Sequence, residues 1–226
     1  MDWFHSSDLM KEVRWDEVWE QSQNTLLMLG WSTLFTLLIG LPLGVLVFLF
    51  SKGQLFSNQW FYSILSFVIN ILRSIPFIVL MVMLIPFTRM LVDTSIGVKG
   101  TIPPLVIAAA PFFARLVETS LREVDKGVVE AAQSMGASPL QIIWKVMLPE
   151  ARPGIIAGIT ITAVTLVSYT AMAGAIGGGG LGDLAIRYGY QRFKPEVMYV
   201  CVILLVVLVQ ILQMLGDRLV RHFTKK

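Results

Sequence analysis

Long apolar stretches without charge dominate the pattern along this chain. Leu26 to Phe50 contains no ionisable side chain, and Gln59 to Phe87 contains only Arg73. A third stretch, Ile102 to Ala114, is shorter and has to extend at one end to reach a useful length. Gly154 to Gly177 and Val197 to Leu215 complete the set. A bilayer core of roughly 30 Å needs about 20 apolar residues at roughly 1.5 Å rise each. A charge at mid-membrane is costly, so charge-free runs of this length mark spans. The pattern predicts an all-α polytopic bundle of about five transmembrane helices, because helices satisfy their backbone groups internally in lipid.

Between the third and fourth apolar stretches the pattern changes. Arg115 to Pro153 carries five basic and five acidic residues with helical periodicity. Val128, Ala132 and Met135 fall on one helix face, and Ile142, Ile143 and Val146 on another further on. Gly136 suits the left-handed residue that ends a helix. Ser138 suits the N-cap of the next, with Pro139 at its first position and Gln141 three residues after the cap, a capping box. Two short helices meeting at a sharp corner are therefore expected, carrying an apolar face. That face either folds back on its own bundle or receives a partner.

The N-terminal segment, residues 1–21, reads differently. Met1 to Glu20 holds six acidic and two basic residues, so it lacks the basic start of a secretory signal. Trp15, Val18 and Trp19 recur at helical spacing, and Asp8 suits a cap for a helix starting near Leu9. Both an interfacial amphipathic helix and a partly disordered tail fit this pattern.

Composition sharpens the class. Of 226 residues, 55% are hydrophobic and 15% charged, against about 25% charged in ordinary soluble domains. A water-soluble enzyme is excluded. A net charge of +3 gives no nucleic-acid-binding balance. The lone Cys201 excludes an intrachain disulfide and reads as a packing residue, while His5 and His222 lie too far apart in the chain to suggest a metal set. With five spans the termini lie on opposite sides. Lys52, the 115–152 connection and the tail then place ten basic residues on one face, against seven on the other. That excess puts the connection and the C-terminus in the cytoplasm and the N-terminus outside.

Several residues stand out chemically. Arg73 interrupts an apolar span. It reads as a pathway or interhelical position, or as a side chain reaching back to the headgroups, and Pro76 marks a local break beside it. Gly177 to Gly180 with Gly182 lacks the Gly-Lys-Ser/Thr ending of a phosphate loop, which argues against nucleotide binding. It reads instead as a flexible exit from the fourth span, permitting tight backbone approach. Gly40/Gly44 and Gly154/Gly158 carry the spacing of close helix packing. An intramembrane enzyme would need an acid, base or nucleophile at membrane depth, and an ion-gradient-driven carrier usually needs acidic groups there. Neither is evident in the charge-free stretches.

Glu130-Ala131-Ala132, Gly136 and Leu148-Pro149 stand at the spacing of the EAA signature, E-A-A-x3-G-x9-I-x-L-P, with Val146 in place of Ile. The chain thus resembles permease subunits of ATP-binding-cassette (ABC) importers. Arg73 to Phe77, Ile85 to Arg89, Tyr169 to Tyr190 and Gly216-Asp217-Arg218 resemble the methionine-importer branch of that family. Related permeases for other small solutes share the EAA loop and the glycine run but resemble the Tyr-x-Ala-Met and Tyr-Gly-Tyr elements less well. The resemblance implies a type I ABC importer permease fold over residues 22–216, a cytoplasmic coupling loop at 122–153 and a cytoplasmic tail at 217–226. It implies that Glu130, Ala131, Ala132, Gly136, Ala137, Ser138, Pro139, Leu148 and Pro149 form the coupling corner. It marks Ser168, Tyr169 and Met172 as candidates for the translocation path and gate, beside Arg73, which its charge within an apolar span already singles out. The implied partners are a second copy, two ATPase subunits holding ATP and Mg, an extracytoplasmic binding protein and the bilayer of a bacterial cell. No cofactor is expected on this chain, and no metal.

Overall fold

The computed structural model describes residues 13–224, which are helical with no strand among them. In chain order the helices are α1 (Trp15–Phe50), α2 (Gln59–Ser74), α3 (Phe77–Met83), α4 (Ile85–Val92), α5 (Gly97–Arg122), α6 (Lys126–Ser134), α7 (Pro139–Ile142), α8 (Leu148–Glu150), α9 (Arg152–Gly174), α10 (Gly180–Leu184) and α11 (Pro195–Phe223). Wider π-type turns at Ile143–Met147 and Ala185–Tyr190 continue α7 and α10. The first has a local cause. Pro149 lacks an N–H and its ring crowds the carbonyl four residues back, so the turn before it opens.

Four helices, α1, α5, α9 and α11, are each long and apolar enough to cross a membrane; α2 with α3 makes a fifth if the broken pair counts as one span. The second apolar stretch is therefore not one continuous helix. The chain leaves helical geometry at Ile75 (ψ 125°), as the residue before a proline tends to. The third stretch extends in both directions, to Gly97 and Arg122, and gains its length that way. At the N-terminal end α1 already starts at Trp15, so the boundary drawn between residues 21 and 22 marks no break, and Trp15 and Trp19 ride on the same helix as the first span. Asp8 and the helix start near Leu9 lie outside the described residues.

The chain divides into two compact units, and the four long helices each contribute residues to both. One unit collects the described part of Met1–Thr33 with Pro76–Val106 and Ala163–Ile211. Its apolar core contains Val18, Leu181, Leu184, Val197 and Cys201. Here α10 is tied to α1. Gln21 Oε1 accepts the Gly180 amide at 2.7 Å, and Thr25 Oγ1 accepts that of Leu181 at 2.8 Å. These are two of the N–H groups that a helix start leaves without an internal acceptor.

The other unit collects Leu34–Ile75, Ile107–Thr162 and Leu212–Lys226. Small residues set its packing distance. A Cβ on Gly44 would stand 2.5 Å from the Ala114 carbonyl oxygen, and one on Gly40 2.9 Å from the Phe113 ring. A Cβ on Gly154 would stand 2.7 Å from Ser120 Oγ. Both glycine pairs thus bring α1 and α9 against α5, as their spacing implied. The core of this unit runs from Phe48, Phe113 and Val117 to Ala132, Ile142, Ile143 and Met147. Burial removes surface from water only for the members outside the spans, such as Ile142, Ile143 and Met147, at roughly 1.5–3 kcal/mol each; close packing holds those on the spanning helices.

Candidate functional site

The corner expected around Gly136 is present in detail. Asp125 caps α6, its Oδ1 accepting the Gly127 amide at 2.7 Å. At the other end Gly136 has φ +79°. Its amide donates to the Gln133 carbonyl, and the Ala137 amide reaches back to Ala132. This pair of bonds is a Schellman motif, and it requires the left-handed residue between them. Ser138 then caps α7. Its hydroxyl accepts the Gln141 amide, while Gln141 Oε1 accepts the Ser138 amide at 2.9 Å. Pro139 occupies the first turn, where a missing N–H costs nothing.

The apolar face is divided: part of it folds back on its own bundle and part is left exposed. Ala132, Ile142, Ile143 and Met147 are buried against the unit's own core. Met135 (82% exposed), Leu140 (64%) and Trp144 (67%) point away from it. The first face differs from expectation in its members: Val129 packs inward beside Ala132, while Val128 and Met135 are exposed. Met135 stands at the helix end, where the chain is already turning. Among the signature residues, Glu130, Ala131, Gly136, Ser138 and Pro139 are exposed; Ala137, Leu148 and Pro149 are half-buried. The sequence signature and an unpartnered apolar surface therefore coincide at one corner.

Replacing Ser138 with alanine removes one half of the capping box and leaves the corner's other constraints in place. It is expected to cost about 1 kcal/mol of local helix stability, seen as faster amide hydrogen exchange at Gln141 and Ile142 with exchange in α6 unchanged.

The residues singled out in the apolar stretches fall in different units, and those on α9 face two ways. Arg73 is in the last turn of α2, exposed, with its guanidinium carbon 5.7 Å from the centre of the Phe112 ring. It belongs to the second unit, whereas the α9 residues belong to the first. Ser168 and Met172, four apart, share an exposed face of α9. Ser168 lines a groove of about 280 Å³ with Val167, Ala171, Leu205, Val206, Val209 and Gln210. Tyr169 turns the other way and stacks on Phe77 at 4.5 Å, with the rings 2° from parallel.

Three features escaped the sequence reading. Glu118 on α5 is buried, bonded to Arg115 on one side and to Arg122 at 2.6 Å on the other. Arg115 continues the network to Asn70 Oδ1 on α2 at 3.2 Å. Charges at 115, 118 and 122 follow helical spacing and were open to recognition; the Asn70 contact was not. The second feature is the link from Gln21 and Thr25 to α10. The third is Arg187 bonded to both Glu17 and Asp183, at 3.3 and 3.0 Å. The glycine run makes the tight backbone approach expected of it: its residues pack against Thr25, Met28, Thr101 and Ala171. The flexibility expected there is reduced, because the amides of Gly180 and Leu181 are taken by α1. Among the described residues no group of three His, Cys, Asp or Glu side chains is placed to hold a metal.

Comparison with known proteins places this geometry. A family model described as "Binding-protein-dependent transport system inner membrane component" matches residues 40–226. The chain is 52% identical over 221 residues to the "Probable D-methionine transport system permease protein MetI" of Vibrio cholerae serotype O1, covering 97% of this chain and 95% of that one. It is 49% identical over 210 residues to the "Methionine import system permease protein MetP" of Bacillus subtilis strain 168, covering 93% and 95%. Among solved structures, a chain of the inward-facing MetNI methionine ABC transporter superposes with a TM-score of 0.91 at 46% identity, over 97% of this chain and 100% of that one.

Proposed function

This chain belongs to the family of binding-protein-dependent transport system inner membrane components, and from that premise we propose that it carries methionine across the membrane as the permease of an ATP-driven importer. It is a multi-pass membrane subunit and not an enzyme; such importers place ATP hydrolysis on a separate subunit. The observation that carries the reading is the α6–α7 corner: the EAA residues surround a Schellman turn and a capping box, and Met135, Leu140 and Trp144 stand exposed beside them. The choice of methionine rests on relatives about half identical over nearly the whole chain.

In this reading the corner docks into an ATPase subunit that holds ATP and Mg. Two copies of the chain enclose the path, two ATPase subunits drive it and an extracytoplasmic protein delivers the solute. The C-terminus and the 122–153 loop face the cytoplasm and the N-terminus faces outward, as the basic excess favours. Rigidity is what the corner contributes. Its outward face is fixed by a buried inward face, so force on Leu140 or Trp144 reaches α5 and α9 through Ile142, Ile143 and Met147. A nucleotide-dependent change in the partner moves the permease only if the partner binds its two states unequally. Ser168 and Met172 on the open face of α9 are the path-lining candidates. Tyr169 supports that face through its stack on Phe77, and Arg73 is the basic group beside the α2 break.

The test is uptake into vesicles holding this chain with its ATPase, given ATP and the delivery protein. Excess D- or L-methionine is expected to suppress uptake of labelled methionine, with alanine and histidine leaving it unchanged. Equal suppression by unrelated amino acids would refute the substrate assignment, and uptake driven by an ion gradient without ATP would refute the importer reading itself.

A further inference from the structure

Beside the corner, and sharing Glu130, Gln133 and Met147 with it, lies a cavity of about 610 Å³. At roughly 30 Å³ per water it is far larger than a single small anion needs. Three cations from three elements border it: Lys52 just after α1, Arg122 at the end of α5 and Lys126 at the start of α6. Glu130 is the one carboxylate on its wall. Lys52, Lys126 and Glu130 are exposed, and none makes an ion pair within 4.0 Å among the described residues. Arg122 is engaged with Glu118 through Nε and Nη2. Lys52 sits on a turn tied down by backbone bonds from Gln54 to Ser51, Phe56 to Leu49 and Asn58 to Phe50. It is therefore held in place close to the helix end.

The depth of this cavity points to its occupant. Phe48 lies two residues before the end of α1, and Leu121 one residue before the end of α5; both are membrane-crossing helices and both side chains form the cavity's apolar wall with Met147. Lys52 and Lys126 follow directly beyond these helix ends, with Leu55, Val124 and Val129 also on the wall there, and cations just past the ends of apolar spans stand at the boundary of the hydrocarbon core. Basic pockets between span ends on the cytoplasmic side attract anionic headgroups.

We propose that this pocket binds the phosphate headgroup of an anionic phospholipid, with Lys52 and Lys126 as its charge contacts. The bound headgroup bridges the turn after α1 to the first residue of α6, so it braces the start of the coupling segment from the bilayer side. Arg122 joins the site to Glu118 and hence to α5. The proposal rests on the permease reading in placing these helix ends at the cytoplasmic surface of the bilayer.

The experiment is to purify the chain with its ATPase from membranes containing phosphatidylglycerol and to count the retained phospholipid by native mass spectrometry. Wild type is expected to keep phosphatidylglycerol in preference to phosphatidylcholine. The double variant Lys52→Ala/Lys126→Ala is expected to retain it about thirtyfold more weakly, while Lys145→Ala, a lysine of the same segment off the cavity wall, matches wild type. Millimolar inorganic phosphate is expected not to displace the lipid. Equal retention by wild type and double variant overturns the proposal. Displacement by phosphate does so in favour of a free-anion site, and loss of the ATPase from the double variant with lipid retained does so in favour of a protein-docking surface. If wild-type chain purifies without any ATPase, the permease reading fails while lipid retention still tests the pocket.

Discussion

Valine in place of Gly174 is expected to leave little folded protein. Even a Cβ at this position would stand 2.1 Å from the Asp183 amide nitrogen and 2.6 Å from the Gly182 carbonyl carbon. The reverse contact is as close: a Cβ on Gly182 would lie 2.3 Å from the Ala171 carbonyl oxygen. The end of α9 and the start of α10 thus meet backbone to backbone, and no side-chain rotation relieves the clash. Nor is α10 free to retreat, because Gln21 and Thr25 hold its first two amides. Moving it would strand buried donors at about 1–3 kcal/mol each, added to about 1–3 kcal/mol for overpacking. Against a total stability of about 5–15 kcal/mol, that sum removes much of what keeps the chain folded. The comparison variant is Gly30→Ala, where a Cβ meets nothing within 4 Å; it is expected to hold stability within about 1 kcal/mol. Size-exclusion profiles after stepwise heating in detergent give the measurement. A Gly174→Val midpoint within a few degrees of wild type would show that the two segments are not held together in this way.

This contact also shows where reading from sequence stops. Charge-free runs located the membrane-crossing segments because the bilayer penalises charge one residue at a time, without reference to neighbours. The corner at Gly136 was readable for a similar reason: a Schellman turn followed by a capping box is complete within about ten consecutive residues. Gly177 to Gly180 shows its capacity for close approach in the sequence, but not the partners that confine it, which lie far away in the chain. The Gln21 and Thr25 acceptors are separated from their donors by 159 and 156 positions. Glu118 was passed over as part of a charged connection. Its helix continues to Arg122, which turns an apparent loop charge into a buried partner for two arginines. The break at Ile75 and Pro76 lay between these cases, since proline announces an interruption but not whether two helices or a kink will result.

Gly136→Trp is expected to lower uptake by about thirtyfold to a thousandfold, while the chain still inserts and purifies as a monodisperse species. The site separates folding from docking. A Cβ at Gly136 meets nothing within 4 Å, so no contact inside the chain forbids a large side chain. The intrinsic cost is that of holding a non-glycine residue at φ +79°, about 1–2 kcal/mol. Gly136→Ala bears the same backbone cost and is expected to keep most uptake, which makes it the control for strain. What tryptophan adds is bulk at the apex of a surface whose exposed groups, Met135, Leu140 and Trp144, fit the profile of an apolar interface centre. Interface centres built on such residues lose about 2–4 kcal/mol when a single anchor fails, or roughly thirtyfold to a thousandfold in affinity. Co-purification of the ATPase should therefore fall in step with uptake of labelled methionine. Trp144→Ala, which removes an anchor without touching the turn, should weaken both in the same direction. Normal uptake by Gly136→Trp with the ATPase still bound would mean that force enters the chain elsewhere than at this corner.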